Sequence, residues 1–216
     1  MDIDFATLTA YQRYKLMAGL IVPRPIALIT TINTAGVVNA APFSMFNMVG
    51  EDPPILMVSI NRLHDGQLKD TAANILANGE FVVHLTDEAM AGEMHGCGAS
   101  LPPEQSELAH VGLTPLPSHT VRPPRIAEAP VAFECVLHEK LETESRYVFI
   151  GRIQWLTVRD GLVDAQRWRV RLQDYHPVGR FGASFYVRTS ERFAISGDEP
   201  SEAEAPEARS TSIDEI

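Results

Sequence analysis

Two cations and a hydroxyl gather in one short stretch: Arg62, Lys69 and Thr71 fall within Asn61-Arg-Leu-His-Asp-Gly-Gln-Leu-Lys-Asp-Thr71, just ahead of an apolar helical pattern. A helix start offers free N–H groups and the positive end of the helix dipole. With Arg62, Lys69 and Thr71 around it, such a start could cradle a phosphate. The ordinary alternative is that Asp70 caps the helix while Arg62 and Lys69 are solvated surface charges. The other reactive residue types form no such group. The seven histidines are His64, His84, His95, His110, His119, His138 and His176, and they lack metal-ligand spacing, so no metal is assigned. His95 and Cys97 are close enough to suggest a metal or a nucleophilic thiol, yet they stand isolated in a glycine-rich loop. Gly96-Cys-Gly-Ala-Ser-Leu101 begins like a dinucleotide fingerprint but lacks the third glycine and the strand-to-helix setting. There is no Walker loop and no Gly-x-Ser-x-Gly elbow, so no side chain is assigned as a catalytic acid, base or nucleophile.

The elements that must position the phosphate candidates are mostly strands. Pro25–Ile32 is rich in β-branched residues, and Asn33-Thr-Ala-Gly36 turns it into Val37–Ala41, a predicted hairpin. Phe43–Val49 and Ile55–Ile60 read as further strands, separated by Glu51-Asp-Pro-Pro54. The spacing of Ala72, Ile75 and Leu76 predicts an amphipathic helix, with Asp70 or Thr71 as cap and Gly79 as stop. Glu80–Thr86 returns to strand, a helical stretch runs from about Glu88 to Met94, and the prolines between Gly96 and Pro130 break up regular structure. Long strands resume over Val131–Leu141 and Tyr147–Val158. Short strands with few helices favour a mainly β fold, a barrel with peripheral helices, over a layered βαβ arrangement.

At 216 residues the chain suits one domain, expected to span residues 1–193. Residues 194–216 are then an acidic tail, because seven acids against Arg209 from Asp198 onward put −6 of the total charge of −10 there, leaving −4 for the rest. With no aromatic residue in that stretch we expect disorder, either as a solvated tail or as a docking element. The net charge speaks against a nucleic-acid surface. The two cysteines, Cys97 and Cys135, form no framework, and the first residues lack the basic start and apolar run of a secretory signal. No apolar run is long enough to span a membrane, so a soluble, cytoplasmic protein is expected.

Five segments in order resemble the flavin-reductase-like, FMN-binding split-barrel family: Tyr14-Lys-Leu16 with Val22-Pro-Arg-Pro-Ile-Ala27, Asn39-Ala-Ala-Pro-Phe-Ser-Met-Phe-Asn47, Asp52-Pro-Pro54, Lys69-Asp-Thr71 with Asn74-Ile75, and Pro177-Val-Gly-Arg-Phe-Gly-Ala-Ser-Phe-Tyr186. The resemblance covers roughly residues 14–193, and departs from the family pattern at Gly50-Glu51 and at Ala183. It implies a six-stranded Greek-key split barrel, paired as a homodimer with FMN in a groove to which both subunits contribute. Carried over residue by residue, Arg62, Lys69 and Thr71 would hold the phosphate, with Asp70 of the same motif among the cofactor-binding residues. Ser44, Phe46 and Asn47 would face the isoalloxazine, with Thr30, Thr31 and Asn39 on neighbouring strands. Arg180 and Tyr186 would close the site or meet the nicotinamide, or else serve as an ion-paired arginine and a structural tyrosine. The implied activity is hydride transfer from NADH or NADPH to flavin, which reduces a monooxygenase or other redox acceptor. An FMN electron carrier with slow NAD(P)H turnover and a non-catalytic flavin-binding module are the alternatives.

Overall fold

The computed structural model describes residues 1–193, and the acidic stretch 194–216 lies outside the described residues. Helix α1 spans Ala10–Leu20, followed by β1 (Arg24–Pro25), β2 (Ala27–Ile32), β3 (Val38–Phe43), β4 (Phe46–Glu51) and β5 (Pro54–Asn61). Then come α2 (Asp70–Asn78), β6 (Glu80–Leu85), α3 (Ala91–Gly96), α4 (Glu107–Val111), β7 (Pro115–Leu116) and β8 (Arg125–Ile126). The chain closes with β9 (Val131–Glu142), β10 (Arg146–Val158), β11 (Val163–Asp164), β12 (Arg169–Val170), β13 (Gly179–Gly182) and β14 (Phe185–Val187).

The main sheet is antiparallel and seven-stranded, in the order β3-β2-β6-β9-β10-β5-β4. Six of these strands make the barrel, and the backbone N–H of Ser59 on β5 donates to Met45 O just past β3 (2.8 Å) to join its two ends. The seventh strand exists because Phe43–Val49, read from sequence as one strand, divides at Ser44-Met45, so that β4 adds an outer edge beside β5.

Period-two alternation supplies the core. Ala27 and Ile29, Leu56, Val58 and Ile60, Phe81 and Val83, and Phe149 turn inward and meet Ala72 and Ile75 of α2. The opposite face of β2 carries Ile26 and Leu28 into a second core with Met90, Met94, Cys97, Leu108 and Ile126. These two cores are why β2 is buried along nearly its whole length. His84 ties the layers together: its Nδ1 donates to Leu28 O (2.9 Å) and its Nε2 accepts from the Ile126 N–H (3.0 Å).

Gly79 ends α2 in the left-handed region (φ 71), as its position in the sequence predicts. The cap differs from expectation. Lys69 occupies the N-cap without any side-chain cap bond, and Asp70 and Thr71 are already helical. Helix α1 was not anticipated, although Thr9 and Gln12 form a reciprocal capping box, and none of its residues is buried.

Candidate functional site

Around the start of α2 the side chains fall into a braced layer and a cationic layer. In the first, Asn39 Nδ2 on β3 donates to Thr71 Oγ1 (2.9 Å) and to Thr31 Oγ1 (3.3 Å), and Asn74 Nδ2 donates to Thr31 Oγ1 (3.0 Å). Thr31, Thr71 and Asn74 are buried, so this network fixes the first turn of α2 against β2 and β3. The structure therefore brings together Thr31, Asn39 and Thr71 of the residues read from sequence. Thr30 does not join them. As the neighbour of Thr31 on a strand it points to the opposite face and donates to Pro124 O (2.6 Å).

In the second layer Lys69 Nζ sits 5.8 Å from the centre of the Phe43 ring, and the Arg146 guanidinium sits 5.9 Å from that of Tyr14. Burial, and after it the nearby Arg146, lowers the Lys69 ammonium below its ordinary pKa; burial lowers Arg146 as well. The ion pairs among the described residues are Arg62–Glu142, Arg122–Glu80, Arg159–Asp87 and Arg188–Glu88. Lys69 and Arg146 belong to none of them, and no side chain caps the α2 start beside Lys69. Two half-buried like charges without an acid stand at an uncapped helix start, an arrangement whose chemistry suits an anion.

Arg62 takes a different place. Its Nη2 pairs with Glu142 Oε1 (2.5 Å), and its guanidinium stacks 5.0 Å from the Tyr147 ring centre. Asp70 is exposed in the first turn of α2 and lines a small cleft with Asn39, Asn74 and Glu107. Arg146 was missed by sequence reasoning, because it is distant in the chain and is delivered by the pairing of β10 with β5, which sets it opposite Asn61.

Phe43 links this cationic layer to a groove of about 880 Å³, within the usual size range of ligand pockets. Its walls are α1, the end of β3, the turn after α3, and the β13–β14 hairpin. Ser44 lines it, and its Oγ accepts from Arg24 Nε (3.4 Å). Arg24 Nη1 also donates to Ala18 O (2.5 Å) and Ile21 O (2.6 Å), which fastens the C-terminal end of α1. Arg180 and Tyr186 line the same groove, with the guanidinium 4.8 Å from the ring centre and a further bond from Arg180 Nη2 to Ala183 O. The Tyr186 hydroxyl pairs with His95 Nδ1 (2.8 Å). Phe46 packs against the barrel core, while Asn47 is exposed on the edge strand with its Oδ1 accepting from the Met48 N–H (2.9 Å). The Cys97 thiol lies beneath the groove, buried, and burial pushes its pKa up to about 12, which favours the protonated thiol over the nucleophilic thiolate. Among the described residues no three His, Cys, Asp or Glu side chains come together to hold a metal.

Residues 17–176, which carry the barrel and the cationic layer beside its groove, match the flavin reductase like domain. The chain belongs to this family. It is 39% identical over 194 residues to an uncharacterized protein, YwrF, of Bacillus subtilis, a match covering 87% of this chain and 94% of that one. Among solved structures it is similar to the 2-nitrobenzoate 2-nitroreductase NbaA of Pseudomonas fluorescens, with 36% identity, a TM-score of 0.83, and coverage of 96% of this chain and all of that one. It is also similar to nitrilotriacetate monooxygenase component B of Bacillus cereus, with 34% identity, a TM-score of 0.84, and coverage of 90% and 98%. The fold is thus the flavin reductase split barrel, and the function is flavin-related. No helix among the described residues is long and apolar enough to cross a membrane.

Proposed function

We propose that this flavin reductase like protein is an FMN-dependent oxidoreductase that takes hydride from NADH or NADPH and passes it to an acceptor. The observation that carries the reading is the Lys69–Arg146 pair: two half-buried cations without an acidic partner at the uncapped start of α2, beside a groove entered over Phe43. A terminal phosphate fits that pair, and a flat ring system fits the adjoining groove. Bound flavin would supply the redox chemistry, accepting hydride and handing it on.

The chain's own part is positioning and charge. Thr71, held by Asn39, fixes the first turn of α2 where a phosphate would sit, and Lys69 and Arg146 would neutralise it. The Ser44 hydroxyl and the charge of Arg24 at the groove would favour the extra negative charge of a reduced ring. No acid, base or nucleophile is needed in this scheme. The names of NbaA and of the monooxygenase component point to two outlets for such electrons: direct reduction of a small molecule, and supply to a partner monooxygenase.

A homodimer belongs to the same proposal. Helix α1 buries none of its residues, and exposed Leu20 (76%), Ile21 (59%), Met48 (67%) and Val49 (51%) offer apolar surface for a second copy. The first test is to load the purified protein with FMN, confirm binding by quenching of flavin fluorescence, and mix it anaerobically with NADH and then NADPH in a stopped-flow absorbance cell. Rapid bleaching of the flavin band with either donor is expected. Bound FMN that neither donor bleaches would overturn the reductase reading in favour of an electron carrier.

A further inference from the structure

We propose that the groove binds, beside the flavin, a planar aromatic acid whose carboxylate meets Lys15 and Arg180 and whose ring lies among Tyr11, Tyr14 and Tyr186. This deepens the flavin reading and rests on it for the acid's role as the second substrate. Lining residues come from five separate segments, yet they include Lys15, Arg24 and Arg180 and not one Asp or Glu, in a chain of net charge −10. Arg24 and Arg180 are directly opposed in the β1–β13 pairing. Like charges set across from each other destabilise a sheet unless an anion offsets them.

The donors are unevenly occupied. Arg24 is engaged by Ala18 O, Ile21 O and Ser44 Oγ, so its main contribution is field. Arg180 keeps donors beyond its bond to Ala183 O, and its plane is held by stacking on Tyr186, itself anchored by His95. Lys15 Nζ lies 5.6 Å from the centre of the Tyr11 ring, outside every ion pair among the described residues. A cation fixed on an aromatic face, with more rings nearby, suits a flat ligand that carries its charge at one edge.

Helix α1 lies along the groove from Tyr11 to Gly19, and Gly96, which ends α3, lines it as well. Phosphate is served by the α2 start. A single negative charge on a conjugated ring is the chemistry that suits the far end.

The test uses the whole chain loaded with FMN, with binding measured by calorimetry and by the shift of the visible flavin band. Its probes are benzoate, benzamide, cyclohexanecarboxylate and inorganic phosphate. Benzoate is expected to bind at least about 10-fold more tightly than benzamide, which lacks the charge, and several-fold more tightly than cyclohexanecarboxylate, which lacks the flat ring. Lys15→Gln should narrow the benzoate-to-benzamide ratio without altering the fold, since Lys15 joins no ion pair among the described residues and is not part of either core. Equal affinity for benzoate and benzamide overturns the proposal, as does displacement of benzoate by an equal concentration of phosphate. Failure of FMN to bind overturns the flavin reading separately. In that event, benzoate selectivity in the flavin-free protein would still support the acid site.

Discussion

Lowering the pH should weaken this fold through a single buried histidine before its carboxylates matter. His84 is fully buried, and both its ring nitrogens are committed, one donating to Leu28 O and the other accepting from the Ile126 N–H. Burial, aided by Arg125 and only partly opposed by the Leu28 bond, lowers its pKa from 6.5 to about 4. The folded chain therefore holds fewer protons at this site than the unfolded chain between those two values. The histidine's contribution is present in full above the unfolded pKa of 6.5 and is lost as pH falls towards the folded value of about 4. At about 1.4 kcal/mol per unit, the gap is worth about 3 kcal/mol, a large share of a typical domain's stability. Protonation also removes the acceptor that Ile126 requires. Urea unfolding followed by tryptophan fluorescence, at about pH 7 and about pH 4.5, measures the loss in the wild type and in His84→Gln. The variant should be less stable at the higher pH and should lose less stability on acidification. Glu107, raised by burial, works in the opposite direction, while Glu128 and Glu134 are held low by hydrogen bonds and act mainly below the histidine window. An equal acid-induced loss in both proteins would refute the assignment to His84.

Arg146→Ala and Lys69→Ala should each weaken FMN binding by about 10-fold in a fluorescence-quenching titration, whereas thermal stability of the flavin-free protein should not fall, because each removes one of two like charges without an acidic partner. Gly151→Ala should destabilise the barrel by about 1–3 kcal/mol in urea, since an added Cβ would overlap Phe81 Cζ in the core. Ala183→Gly should stabilise the β13–β14 hairpin by up to about 1 kcal/mol, read from a thermal melt, because Ala183 sits at φ 45, where a side chain is strained. Cys97 should resist alkylation at mildly alkaline pH in the native protein and react on unfolding, as mass spectrometry would show.

Strand alternation and the Gly79 stop made most of the barrel legible in the sequence, since both are local signals that tertiary packing then reinforces. Helix α1 escaped because an amphipathic pattern marks a buried face and this helix has none; its capping box at Thr9 and Gln12 was the available signal. The Lys69 and Thr71 positions were legible as a helix start with a cation and a hydroxyl. Which of the two adjacent threonines, Thr30 or Thr31, turns towards that start was not, because alternation separates them without naming the face. Arg62 looked equivalent to Lys69 in the sequence, but Glu142 on β9 captures it, a partner 80 residues away.

The cationic layer illustrates the general reason. Its second member, Arg146, opens a strand whose register with β5 places it opposite Asn61, and the loop leaving Asn61 ends at Lys69. The two charges thus meet because a hairpin and a helix cap are both fastened to one strand end, and neither segment carries a mark of the other in its own sequence. Folding holds them together against their repulsion, since burial lowers both pKa values and no carboxylate relieves either. Local consistency gives way here, and it gives way beside the groove under α1, where an anion would restore it.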